Sequence, residues 1–265
     1  MPYSPIVDTN EPVVLVAGAA GGIGSATCRA FLERRALVVG IDKASAPRGL
    51  QKHPGYRHFA HEIEDGHKLQ SLLLENGISS LDHVIVSTGG ASPDEVSCIS
   101  PFELSETLFV DTLKANLVLP YSVIVASLPL LTKSNKQNRS CLLASSVNAY
   151  GDYGYPAYSS AKAGLDGLAA SLCRPLGRHG IRIGVLAFGT VVTRASRALH
   201  EEDEKHYRTL QRLTALDRFV TPEEAGVAFV TAALDLASAT GFNLTIDAAQ
   251  SLPGNHTEES RGDSV

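Results

Sequence analysis

The strongest constraint on the fold is alternation along the chain. Short apolar runs rich in β-branched residues fall at 13–17, 36–41, 56–60, 83–87, 141–144, 181–187 and 243–246, and helix-period patterns at 24–35, 67–76, 106–130, 157–178 and 222–236 lie between most of them. Runs without polar alternation belong to strands covered on both faces, and right-handed crossovers between such strands build a parallel sheet flanked by helices. The expected fold is α/β: one doubly wound parallel sheet of about seven strands with helices on both faces. At 265 residues this fits a single domain, expected over 1–253. The stretch 192–216, with its charge run at 201–205, breaks the pattern and is expected to be a lid over the crevice beyond the strand ends, with a solvated surface helix as the alternative. The polar tail 254–265 has little to bury and is expected to be disordered.

Charge narrows the partners. With 23 Lys and Arg against 28 Asp and Glu the net charge is −5, and no basic stripe is present, so neither nucleic acid nor an anionic membrane is an expected partner. The longest apolar stretch, 117–131, is interrupted by Pro120 and Pro129 and reads as too short to span lipid. The four cysteines, Cys28, Cys98, Cys141 and Cys173, form no CxxC pair, and no export pattern opens the sequence. A cytoplasmic protein with buried free thiols and a small-molecule partner is the expectation.

After the first strand comes AGAAGGIG, which places Gly18, Gly22, Ile23 and Gly24 where a strand gives way to a helix, with Asp42 closing the second strand. Glycines there let backbone approach a pyrophosphate, and the helix start offers unpaired N–H groups at the positive end of its dipole. This is the context of a dinucleotide-binding, Rossmann-type site. Asp42 can accept hydrogen bonds from both hydroxyls of an adenosine ribose, whereas a 2′-phosphate would meet a like charge, about 4 kcal/mol at ~4 Å and an effective dielectric of 20 before screening. NAD is therefore the expected cofactor, with Lys43 and Arg48 the residues that would let NADP compete.

AGAAGGIG followed in order by Asn116, Ser146, Tyr158 and Lys162 resembles the short-chain dehydrogenase/reductase family over about residues 13–252. YSSAK places Tyr158 and Lys162 four apart at a helix start, so they share a face. The spacing predicts that the Lys162 ammonium favours the Tyr158 phenolate. Bringing a phenol from pH ~10 two to three units closer to neutrality takes about 3 to 4 kcal/mol, expected from Lys162 and oxidised nicotinamide together. Tyr158 then serves as base in alcohol oxidation and acid in carbonyl reduction, while hydride passes to or from the nicotinamide. The resemblance implies that Lys162 also holds the nicotinamide ribose. Ser146, in competition with Ser145, positions the substrate oxygen. Asn116 lies four residues before Pro120, which removes the helical partner of its carbonyl and predicts a kink able to hold a relay water. Glu62 and Ile63 are implied against adenine, Gly89 beside the cofactor and Thr193 near the carboxamide.

Several positions depart from the family pattern: Ala17 for Thr, VSTG at 86–89 for NNAG, Gly184 for Asn, Phe188 for Pro and DAA at 247–249 for DGG. His58, His61 and His67 with Glu62 and Glu64 lack metal-ligand spacing, so no metal is expected. Tyr150, Tyr153 and Tyr155 are candidates for the substrate pocket, and Arg194, Arg197 and His200 for lid contacts to a polar substrate. The expected function is NAD-dependent interconversion of a secondary alcohol and a ketone. The alternatives are a non-catalytic NAD-binding regulatory or scaffold protein and an epimerase or lyase on the same fold. Small residues along the fifth helical pattern permit close helix contact, and the resemblance implies a homodimer or homotetramer formed through that helix.

Overall fold

The computed structural model describes residues 10–252 apart from 64–65, 99, 152–153, 195, 197–203 and 213. The expected tail, Tyr153, Glu64, Arg197 and His200 lie outside the described residues, as does much of the expected lid. Seven strands, β1 (Val13–Ala17), β2 (Leu37–Asp42), β3 (Tyr56–Ala60), β4 (His83–Val86), β5 (Arg139–Ser146), β6 (Ile181–Phe188) and β7 (Phe242–Ile246), pair in the order β3-β2-β1-β4-β5-β6-β7. Every pairing is parallel. The helices are α1 (Gly22–Glu33), α2 (Gly66–Glu75), α3 (Pro93–Val96), α4 (Glu106–Leu113), α5 (Leu119–Lys133), α6 (Pro156–Gly177), α7 (Glu204–Arg212) and α8 (Pro222–Val230).

The period of two along each strand divides the core between the two faces of the sheet. Val13, Leu15 and Ala17 of β1 join Leu69 and Leu73 of α2, Ile124 and Leu130 of α5 and Leu165 of α6 on one side. Val14 and Val16 join Phe31 of α1 and Phe229 of α8 on the other. Each such buried side chain contributes about 1.5 to 3 kcal/mol of hydrophobic stabilisation. Strand order reverses between β1 and β4, so the crevice beyond their carboxyl ends is where this architecture receives a ligand.

Strand β5 is longer than the apolar run at 141–144 suggests. Its flanking serines are tolerated inside because they are paired: the Ser140 hydroxyl with His83 Nδ1 at 2.9 Å, and the Ser145 hydroxyl donating to the Lys162 carbonyl at 3.2 Å. The kink expected at Asn116 takes the form of a π-helical turn over Lys114–Val118 that joins α4 to α5. Pro120 cannot donate, so the helix admits an extra residue and the Leu119 N–H reaches back to the Lys114 carbonyl. The composite helix Glu106–Lys133 is 28 residues long and apolar enough by length and composition to cross a bilayer, which corrects the shorter stretch read from sequence. Its apolar character is accounted for by Val123, Ile124, Ala126, Leu130 and Leu131, which pack under the sheet. The thiols divide as well: Cys28 and Cys141 are buried, while Cys98 and Cys173 are partly exposed, and all are free.

Candidate active site

Strand β5 delivers Ser145 and Ser146 side by side, and the fold separates their roles. Ser145 is tied to the Lys162 backbone, whereas Ser146 is in side-chain hydrogen-bond contact with the Tyr158 phenol. The Ser146 hydroxyl also donates to Asn148 Oδ1 at 2.9 Å and accepts from the Asn148 N–H at 3.2 Å. Tyr158 and Lys162 lie on successive turns of α6, with Lys162 Nζ 5.5 Å from the Tyr158 ring centroid and donating to the Ala144 carbonyl at 3.0 Å. Lys162 is 3% exposed. The structure thus brings Ser146, Tyr158 and Lys162 together.

Their electrostatics differ from the expectation. Burial pushes the Tyr158 phenol above its ordinary value; the Ser146 hydrogen bond opposes this and the Glu95 carboxylate adds to it. Burial also pulls Lys162 down to about 8. In the protein itself desolvation dominates at both groups, so the spacing of Tyr158 and Lys162 alone does not acidify the phenol; the expected acidification rests on Lys162 together with oxidised nicotinamide.

Asn116 sits in the π turn, 1% exposed, and its amide clasps the loop after β4. Oδ1 accepts from the Gly90 N–H at 2.9 Å, and Nδ2 donates to the Gly90 and Thr112 carbonyls at 3.1 Å each. Gly89 has φ +95°, and a Cβ there would stand 2.2 Å from Asn116 Oδ1. This close approach is why a glycine occupies the position.

A cavity of about 620 Å³ opens at the strand-order reversal. Of the expected cofactor residues, Gly18, Asp42, Glu62, Ile63 and Gly89 line it, together with Asn116. Gly22, Ile23, Gly24, Thr193, Ser146, Tyr158 and Lys162 lie outside that lining. Gly24 has a packing role, since a Cβ there would stand 2.0 Å from the Gly18 carbonyl oxygen. Thr193 closes over the glycine turn, where a Cβ on Gly22 would meet its methyl at 2.5 Å. Ile23 packs partly buried against the core on the α1 side. Asp42 accepts from the Ala20 N–H at 3.0 Å and the Ala44 N–H at 2.9 Å, which fixes its carboxylate in the cavity wall.

The site fits a dinucleotide. No side chain caps the start of α1, whose N-cap is Gly21, and glycine backbone forms the adjoining wall. Thr88 Oγ1 and His61 Nε2, both on residues of that wall, are buried without a hydrogen-bond partner. Sequence reasoning assigned none of Thr88, His61 and Gly90 to the cofactor site: Thr88 stood only within the VSTG departure, His61 only among the metal ligands weighed, and Gly90 nowhere. It also missed Glu95, which reaches the site only through the fold. The metal reading finds no support in geometry: His58 pairs with Tyr56 Oη and the Ala44 carbonyl, each at 2.9 Å, and no group of three or more His, Cys, Asp or Glu among the described residues could hold an ion. Tyr150 bonds to Asn243 at the β7 edge, and Tyr155 forms the N-cap of α6.

A family model described as Enoyl-(Acyl carrier protein) reductase matches residues 18–248. L-fucose dehydrogenase of Mus musculus is 29% identical over 241 residues, covering 88% of this chain and 86% of that protein. An uncharacterized oxidoreductase of Schizosaccharomyces pombe is 32% identical over 224 residues, 82% of each chain. Among solved structures, an oxidoreductase of Burkholderia thailandensis, described as of the short chain dehydrogenase/reductase family, superposes with a TM-score of 0.81 at 28% identity, covering 91% of this chain and 93% of that one.

Proposed function

The chain belongs to the short-chain dehydrogenase/reductase family of oxidoreductases, and from that premise we propose that it interconverts a secondary alcohol and its ketone with NAD, Tyr158 carrying the proton. The observation that carries the reading is the convergence of Ser146, Tyr158 and Lys162 beside a dinucleotide-sized crevice. A nicotinamide dinucleotide, when bound, supplies the hydride acceptor or donor and, when oxidised, a positive ring charge beside the phenol. Gly18, Asp42, Glu62, Ile63 and Gly89 would hold its adenosine and pyrophosphate portion, and Lys162 and Thr193 its nicotinamide end.

Ser146 fixes the substrate oxygen against Tyr158, which takes the hydroxyl proton in oxidation and returns it to the carbonyl oxygen in reduction. Lys162 stabilises the phenolate whenever it is protonated. Asn116 holds the loop after β4 at the distance that keeps the crevice open. Asp42 favours NAD over NADP through charge repulsion of a 2′-phosphate. A homodimer or homotetramer is the proposed assembly, supported by exposed Val118, Tyr121 and Val125 on the α4–α5 side and by exposed Ala163, Gly167 and Ala170 on α6. Sedimentation as a monomer at micromolar concentration overturns the assembly.

The activity is tested by following NADH absorbance over a panel of alcohols, sugars and ketones, with Tyr158→Phe as control. Turnover that falls about 10³-fold in the variant, with NADH affinity retained, is the expected result. Cofactor binding without turnover across the panel would overturn it in favour of a scaffold.

A further inference from the structure

We propose that Glu95 is a positioning residue for this reaction: its carboxylate, carried on α3, anchors the first turn of α6 and so fixes the Tyr158 phenol against Ser146. The assignment rests on Tyr158 being the acid and base of the reaction proposed above.

Helix α6 starts without a cap of its own. Its N-cap residue, Tyr155, has φ 55° and makes no side-chain cap bond, and Pro156 has no N–H. The next two amides, Ala157 and Tyr158, therefore need an outside acceptor. Both donate to a single atom, Glu95 Oε1, at 2.8 and 3.2 Å, from a residue 62 and 63 positions earlier in the chain. One of the two amides belongs to the tyrosine itself, so this contact sets where the phenol sits.

Capping alone does not explain a carboxylate. Glu95 is 3% exposed, and its second oxygen, Oε2, is buried with no hydrogen-bond partner. A neutral amide would cap as well without burying a charge. What the charge adds is attraction to the positive end of α6 and repulsion of a phenolate on Tyr158. Lys162 from α6 lies over the Tyr158 ring, Ser146 from β5 is in hydrogen-bond contact with its hydroxyl, and the Glu95 charge acts on it from α3. Ser146 favours the phenolate, and Glu95 opposes it. Glu95 therefore offsets part of the Ser146 effect and keeps the phenol protonated over a wider range of pH than burial and Ser146 would without it.

The experiment is a titration of phenolate absorbance in the parent protein and in Glu95→Gln, each differenced against the same protein carrying Tyr158→Phe, with no substrate present. Glu95→Gln keeps the capping oxygen and removes the charge, so the Tyr158 transition should move to lower pH by about half a unit or more. Superimposed transitions overturn the proposal, whatever the enzyme turns out to oxidise. A second measurement needs no variant. First-turn helix amides normally exchange freely, so amide exchange in the parent should show Ala157 and Tyr158 protected about tenfold or more. Unprotected amides there overturn the anchoring role.

Discussion

Around Gly18 and Asp42 the crevice is shaped by backbone, whereas the neighbouring cluster of Ser146, Tyr158 and Lys162 is built from buried and partly buried side chains. At the first end, the demands are geometric: a Cβ on Gly18 would stand 2.8 Å from the Ser87 backbone, and one on Gly24 would meet Gly18. At the second, the demands are electrostatic, because the ammonium and the phenol are both taken out of water. The difference teaches where each end is vulnerable. The first should respond to side-chain volume and hardly to pH, the second to charge and protonation.

The largest effect that can break this contrast is on stability. Lys162 ordinarily titrates near 10.5 and is held at about 8. Between these values the unfolded chain carries a proton that the folded chain lacks, so stability from this group rises with pH across that window, by up to about 3 kcal/mol. The raised Tyr158 acts with the opposite sign, reducing stability once pH exceeds the ordinary phenol value, near 10. Burial also raises the Cys28 and Cys141 thiols to about 12, and these lower stability above pH 9, so the lysine is read by difference: the parent's urea midpoint should rise across the window relative to that of Lys162→Met.

Next in size, Ser146→Ala should lower kcat about 10²-fold, while Ser145→Ala, which loses only the bond to the Lys162 carbonyl, should change it a few fold at most. Equal losses would mean that the two serines are not divided as their contacts indicate. At the other end of the crevice, Asp42→Ala should raise the ratio of kcat/KM with NADP to that with NAD about tenfold or more. A parent enzyme that already prefers NADP would contradict the assignment. Smallest is a repair of backbone geometry: Ala248 and Ala249 have φ of 55° and 62°, where glycine is at ease. Ala249→Gly should stabilise by about 0.5 kcal/mol, relieved strain exceeding the entropy of a freer unfolded chain, as read from thermal melts.

The backbone-built end was largely legible from sequence, because glycine spacing after an apolar strand and an acid at the end of the next are local features. The sheet was legible for the same reason: the apolar runs need no knowledge of what packs on them. Serines hid the ends of β5, since their burial depends on partners such as His83 and the Lys162 carbonyl. The spacing of Tyr158 and Lys162 placed both on one face, but it carried no information on how much water the fold would remove. That quantity sets the direction of the Tyr158 shift in the protein itself. Glu95 was illegible because a contact across 62 positions leaves no trace in either segment.

The wide turn at Lys114–Val118 also sets a rule of arithmetic for this region. A regular helix advances about 100° per residue, and the wide turn takes in one residue without passing that rotation on to α5, whose apolar stripe still faces the sheet. Deleting one residue of the turn would restore an ordinary spiral and leave α5 in phase, but it would remove the bulge that presents Asn116 to Gly90. The extra residue therefore serves the loop after β4 and not the packing of the helix.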